Sequence, residues 1–262
     1  MTSTMQAQAT SGERFKRLED AGRDFPYYND APTTITTAQW LLVLVAVVVA
    51  FLLLALPIDW PGDAIGPWIP ALLFPGLPLA ALAFVAGKHW TAIFGKVGFR
   101  EVRLMIGFAL LNIVVSMAIG FAVKAITDVA PNAANAILAG MGTGERAGFF
   151  AKMIPQLLGE EVITLLPFLA LLQWSTRNLG MGRKAAIIGA WLVSSLVFGL
   201  IHLPTYDWNF VQCIVIIGSA RLVLTLPWIL TKNIWVSTGA HVINDWLLLG
   251  MGLLGAGLVA NT

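Results

Sequence analysis

The stretch MIPQLLGEEVITLLPFLALLQ, residues 153–173, is apolar and long enough to cross a hydrocarbon core of about 30 Å, which takes about 20 helical residues. At its centre stand two adjacent carboxylates, Glu160 and Glu161. An ionised carboxylate in the middle of a membrane helix costs about 2.5–3.5 kcal/mol on insertion scales. Two apolar residues would insert better, so stability does not explain the pair. It marks a functional site, and the question is which other residues it faces.

The rest of the chain has the same solvent preference. Of 262 residues, 58% are hydrophobic and 11% charged, against about 25% charged in soluble domains. The mean hydropathy is +0.79. The sequence predicts an all-α fold, a polytopic transmembrane helix bundle with about seven to eight spans. Seven apolar runs are read at 40–56, 69–87, 104–126, 153–173, 185–203, 210–230 and 234–258. Residues 1–39 form a polar tail, and residues 40–262 a single transmembrane domain. A net charge of +2 with no basic cluster gives no reason to expect nucleic acid. The single cysteine, Cys213, excludes an intrachain disulfide. The first apolar run, from Trp40, reads as an uncleaved signal anchor.

Arg14, Lys16, Arg17 and Arg23 precede the first span. Lys88, Lys96, Arg100 and Arg103 follow the second, and Arg177, Arg183 and Lys184 follow the glutamate span. The link PIDWPGDAIGPW between spans one and two has no Lys or Arg. The positive-inside rule then places the N-terminus and the basic loops in the cytoplasm. A multi-pass protein of a bacterial plasma membrane is the expectation. In the tail, Phe15, Leu18 and Phe25 recur at roughly helical spacing, which suggests a short interfacial helix.

Five ionisable residues lie well inside the spans: Glu160, Glu161, Arg221, His241 and Asp245. His202 ends span five. Gln156, Glu160 and Thr164 form one polar stripe at i, i+4, i+8, whereas Glu161 points about 100° away. The stripe is the better lining for a wet cavity, so Glu160 is the candidate base. Phe198 and His202 share one side of span five. Ser237, His241 and Asp245 share a face of the last span, with Asn244 one step round. An aspartate one turn from a histidine can fix the tautomer of its ring.

A glutamate and two histidines from three helices suit two chemistries. In one, carboxylate and imidazole deprotonate a water, and a second histidine with a carboxyl or amide group stabilises the oxyanion. In the other, Glu160, His202 and His241 are three ligands of a zinc ion with an open fourth position. Spacing does not choose between them.

The order GEEVIT, FGLIH, HVIND resembles the CAAX protease and bacteriocin-processing (CPBP) family of intramembrane peptidases, which includes the type II CAAX prenyl endopeptidases. The family's motifs are E-E-x-x-x-R, F-x-x-x-H and H-x-x-x-N/D. Glu160 and Glu161 match the first, Phe198 and His202 the second, His241 and Asp245 the third. The resemblance covers roughly residues 150–250. It implies that Glu160 activates the attacking water with help from His202, while His241 and Asp245 stabilise the oxyanion. It leaves the metal open, since the family has been described both as metalloproteases and as metal-free glutamate proteases. The implied substrate is a membrane-associated peptide or protein.

One position departs from the pattern. The family arginine falls at Leu165, so Glu161 lacks that local partner, and Arg221 from span six is the candidate replacement. The departure also admits a non-catalytic membrane binding or immunity protein. A third reading, a proton- or ion-coupled transporter with the glutamates as relay, lacks visible inverted repeats. A geometric tension remains. On straight spans Glu160 lies roughly 10 Å from the outer end, His202 near that surface and His241 roughly 20 Å deep. Either span five continues past Pro204, or the last two spans are broken or tilted.

Overall fold

In a computed structural model, the described residues are 13–62 and 65–260, with side chains described up to residue 254. They form eight α-helices and no strand. These are α1 (Thr37–Ala55), α2 (Trp68–Ala86), α3 (Phe99–Lys124), α4 (Ala133–Ala139), α5 (Thr143–Arg177), α6 (Arg183–Ile201), α7 (Gly218–Thr231) and α8 (Ile234–Ala260). Short 3₁₀ turns cover Gly87–Ile93 and Leu203–Tyr206, and a π-helical turn, Gln212–Ile217, leads into α7.

Six helical segments among the described residues are long and apolar enough to cross a membrane, and α8 is a further apolar helix of 27 residues. The protein is therefore an integral membrane protein with a polytopic helical fold. In α1 the residues Leu41, Val45, Val48 and Leu52 remain exposed. Such a surface is stable in lipid and would be an aggregation hazard in water.

Helix ends follow local chemistry. Thr36 and Gln39 form a capping box on α1. The Glu101 carboxylate accepts from the Gly98 N–H at the start of α3 (3.0 Å). Gly180, at φ +60°, makes the turn after α5. α5 runs from Thr143, ten residues before the apolar stretch begins: TGERAGFFAK has two glycines but no proline, and Glu145 stands in the first turn, where an acid favours the helix N-terminus.

The chain divides into two compact units. The first comprises residues up to Lys96, Pro155–Ser194 and Trp228–Trp235. The second comprises Val97–Ile154, Ser195–Pro227 and Val236 onward.

In the first unit the segment read as a polar tail is part of the core. Its described part folds as turns, not as the interfacial helix that the spacing suggested. Phe25, Tyr27 and Ile35 are buried, and so is Glu19. The Arg183 guanidinium donates to both Glu19 oxygens (2.8 and 2.5 Å) and to Asp24 (2.6 Å), and Lys232 Nζ donates to Glu19 (2.9 Å). Phe25 lies beneath both cations, 5.4 Å from the Arg183 guanidinium carbon and 4.7 Å from Lys232 Nζ. Burial alone would raise the Glu19 carboxyl, but hydrogen bonds from Arg183, the Phe15 N–H and Lys232 outweigh it and hold the group at about 2. The periodicity of Phe15, Leu18 and Phe25 misled because the segment is held by distant partners: Glu19 and Asp24 bond Arg183, 164 and 159 residues away.

In the second unit, α3 packs against the π turn. The Gln212 side chain bonds both the N–H and the C=O of Ala130 (2.8 and 3.0 Å), pinning the strand-free link after α3 to that turn.

Candidate functional site

Each unit holds part of the residue set singled out by the sequence. In the first unit, α5 carries Glu160 and Glu161. Gly159 precedes them because α2 passes too close for a side chain: a Cβ there would lie 2.3 Å from the Phe74 ring. Phe74 is buried, so the ring cannot easily yield, and the contact fixes the helix at the glutamate pair. Glu160 is half-buried, whereas Glu161 has no exposed surface. On the polar stripe, Gln156 is half-buried and Thr164 buried. The Thr164 hydroxyl donates to the Glu160 carbonyl (2.8 Å), so its proton is spent on the backbone and not on a carboxylate. Leu165, one turn beyond Glu161, is fully buried.

In the second unit, Phe198 is the common neighbour of three other singled-out residues. Its ring centroid is 4.5 Å from that of His202 and 6.4 Å from that of His241. The Arg221 guanidinium carbon stands 4.9 Å over the same ring, a cation–π geometry. The sequence motif F-x-x-x-H accounts for the first contact, since i and i+4 share a helix face. The others come from α7 and α8.

His202 Nδ1 lies 2.7 Å from the Phe198 carbonyl oxygen. A carbonyl can only accept, so Nδ1 carries the proton, and Nε2 of the neutral ring is left with the lone pair. Nε2 is then the atom available to take a proton or bind a metal. α6 ends at Ile201, and the chain turns at once into the 3₁₀ segment Leu203–Tyr206. Span five does not continue past Pro204 as an α-helix, and span six opens with a π turn. Gly199 allows this, because a Cβ there would sit 2.5 Å from the Cys213 carbonyl in that turn. π turns recur at functional sites because they redirect backbone groups.

Arg221 is fully buried, and its Nε donates to Thr225 Oγ1 (3.3 Å). On α8, Ser237, His241 and Asn244 are buried and Asp245 is half-buried. His241 Nε2 stands 3.7 Å from Asp245 Oδ1. That is beyond hydrogen-bond length but within range to steady a charged ring. Asn244 Nδ2 donates to the same Asp245 oxygen (2.8 Å), and its own Oδ1 accepts from Asn112 Nδ2 (3.0 Å).

Asn112, on α3, was missed by the sequence reading. It is buried and begins a relay that orients Asn244 and, through it, Asp245. Its signal in the sequence is an amide inside the apolar run ALLNIVVS.

Among the described residues no group of three His, Cys, Asp or Glu side chains is gathered as a metal site.

Residues 143–247 match the family model described as "Type II CAAX prenyl endopeptidase Rce1-like". The match runs from the start of α5 through the first half of α8 and takes in all three motifs. Comparison with curated proteins and with solved structures found no match. The resemblance to the CAAX protease family read from the motifs is therefore found again, independently, over this segment.

Proposed function

We propose, on the premise that residues 143–247 are a CAAX-protease-type segment, that this protein is an intramembrane endopeptidase. It hydrolyses a peptide bond in or next to the bilayer. The observation that carries the reading is the coincidence of that match with the second-unit cluster. There, two motif histidines share one aromatic neighbour, and one of them commits its Nδ1 to a backbone carbonyl, which leaves Nε2 as its other ring nitrogen.

In the proposed reaction the Glu160 carboxylate, assisted by His202 Nε2, takes a proton from a water molecule. The water oxygen attacks the carbonyl carbon of the scissile bond, and the carbonyl electrons move to oxygen. His241, held by the Asp245 side chain, stabilises that oxyanion. Collapse of the intermediate breaks the C–N bond, and the captured proton passes to the leaving amine. Water is consumed, and a carboxylate and an amine are released. Glu161 and Arg221 carry opposite charges in this scheme, and Arg221 supplies the cation that Leu165 does not. Phe198 and Asn244 support the imidazole and the aspartate.

The test compares membrane peptides from cells making the wild-type protein with those from cells making Glu160→Ala. A peptide or processed precursor that depends on Glu160 is the expected result. An identical profile would instead favour the second reading, a non-catalytic membrane binding or immunity protein, which the burial of Leu165 at the family's arginine position supports. Treatment with a chelator then separates a zinc enzyme from a metal-free one. Loss of activity, restored by zinc, would overturn the metal-free scheme.

A further inference from the structure

The first unit holds a groove of about 570 Å³ between the start of α1 and the end of α5. This is within the size range of small-molecule sites. Its deep walls are Leu44, Ala170 and Leu171, its rim carries the exposed Leu41, and its mouth carries Trp174 and Arg177. At ~1.5 Å per residue, Leu44 lies about 10 Å along α1 from Thr37, and Pro167 about 15 Å along α5 from Arg177. The groove is thus apolar at depth and polar at one end.

Its floor requires nothing polar from an occupant. Gln173 there accepts from the Trp40 indole N–H and donates to the Ile35 carbonyl (2.8 Å). The mouth is different. Arg177 is ion-paired with Asp30, and both side chains stay substantially exposed, at 37% and 49%. A cation and an anion side by side, above an apolar slot on a lipid-facing helix, match a zwitterion with a hydrocarbon chain. Trp174, half-exposed beside them, is the residue type that settles at headgroup depth.

We propose that this groove binds a bilayer phospholipid with a primary-ammonium headgroup. One acyl chain fills the slot, the phosphate meets Arg177 and the ammonium meets Asp30. A carboxylate can accept hydrogen bonds from a primary ammonium, whereas a choline headgroup has no N–H to offer. The site is independent of the hydrolytic reading and stands whether or not the protein is a protease.

Native mass spectrometry of the purified full-length protein in detergent tests it, with phosphatidylethanolamine and phosphatidylcholine titrated separately. One retained phosphatidylethanolamine per chain is expected, with phosphatidylcholine about tenfold weaker, the worth of one charge-assisted hydrogen bond. Asp30→Asn should erase that preference, and Arg177→Gln should weaken both lipids. Leu44→Trp, which fills the slot, should remove the adduct. Should that variant not fold, Leu41→Trp at the exposed rim serves instead. Equal retention of the two lipids by the wild-type protein would overturn the assignment. So would an undiminished adduct in the filled variant, or a second copy of the chain in place of lipid.

Discussion

In the first unit Glu19, Arg183, Lys232 and Asp24 form a closed set of charges. Each carboxylate oxygen of Glu19 is met by a cation at 2.5–2.9 Å, and side-chain exposure of Glu19 and Lys232 is zero. In the second unit Arg221 and His241 are buried, while His202 and Asp245 keep exposed surface. The His241–Asp245 separation is 3.7 Å, Asp245 is 28% exposed, and His202 commits one ring nitrogen to a backbone carbonyl. A closed ionic set stabilises one arrangement and has no capacity to spare. A group that keeps exposed surface, as His202 and Asp245 do, can meet a substrate. Charged and titratable residues therefore serve structure in one region and are suited to chemistry in the other, and the difference lies in exposure.

The sharpest break in this contrast is expected from His202→Ala. Losing a general base typically costs 10²–10⁴ in rate, so Glu160-dependent cleavage should fall by at least about 100-fold. The melting temperature in detergent should hardly move. A large drop in melting temperature with activity retained would place His202 with the structural charges.

Glu19→Ala should do the reverse. It leaves Arg183 and Lys232 buried without their shared carboxylate, which typically costs about 3–5 kcal/mol. Thermal unfolding should report it, while the folded fraction keeps its cleavage rate. The double variant Glu19→Met, Lys232→Met should recover part of the loss, because removing both members of a buried pair is far milder than removing one.

The same cluster predicts a pH dependence. The Glu19 carboxyl is held at about 2 against an ordinary value of 4.5. Its contribution to stability is therefore complete above pH 4.5 and is lost as pH falls from there toward 2. Acid unfolding of the wild type should contain this component, and Glu19→Gln should lack it.

The smallest effect is expected from Asn112→Leu. It removes one buried hydrogen bond, worth about 1 kcal/mol, and releases Asn244 and Asp245. Cleavage should fall about tenfold with little change in melting temperature, a readout that a purely structural role would not give.

How much was legible depended on the range of the cause. Most span limits came within a few residues of the helices, because insertion depends on the local apolar run. α1 was read at 40–56 and lies at Thr37–Ala55. α5 exceeded its reading at both ends because helix propensity continues where apolarity stops. The pairing of Phe198 with His202 was legible as i, i+4, but the π turn at Gln212–Ile217 was not. It arises where Gly199 admits the Cys213 carbonyl, a contact with no local signature.

By itself the sequence determined the solvent, the helical fold and the positions of the costly polar groups. Those follow from composition and spacing, which act over a few turns. Only tertiary structure decided which of them are paired. It joined Glu19 to Arg183 across 164 residues and gathered His202, His241 and Arg221 around Phe198. It also set Asn112 behind Asn244, 132 residues away. A hydrogen bond needs partners within about 3 Å, and only the folded chain brings residues so far apart in sequence that close.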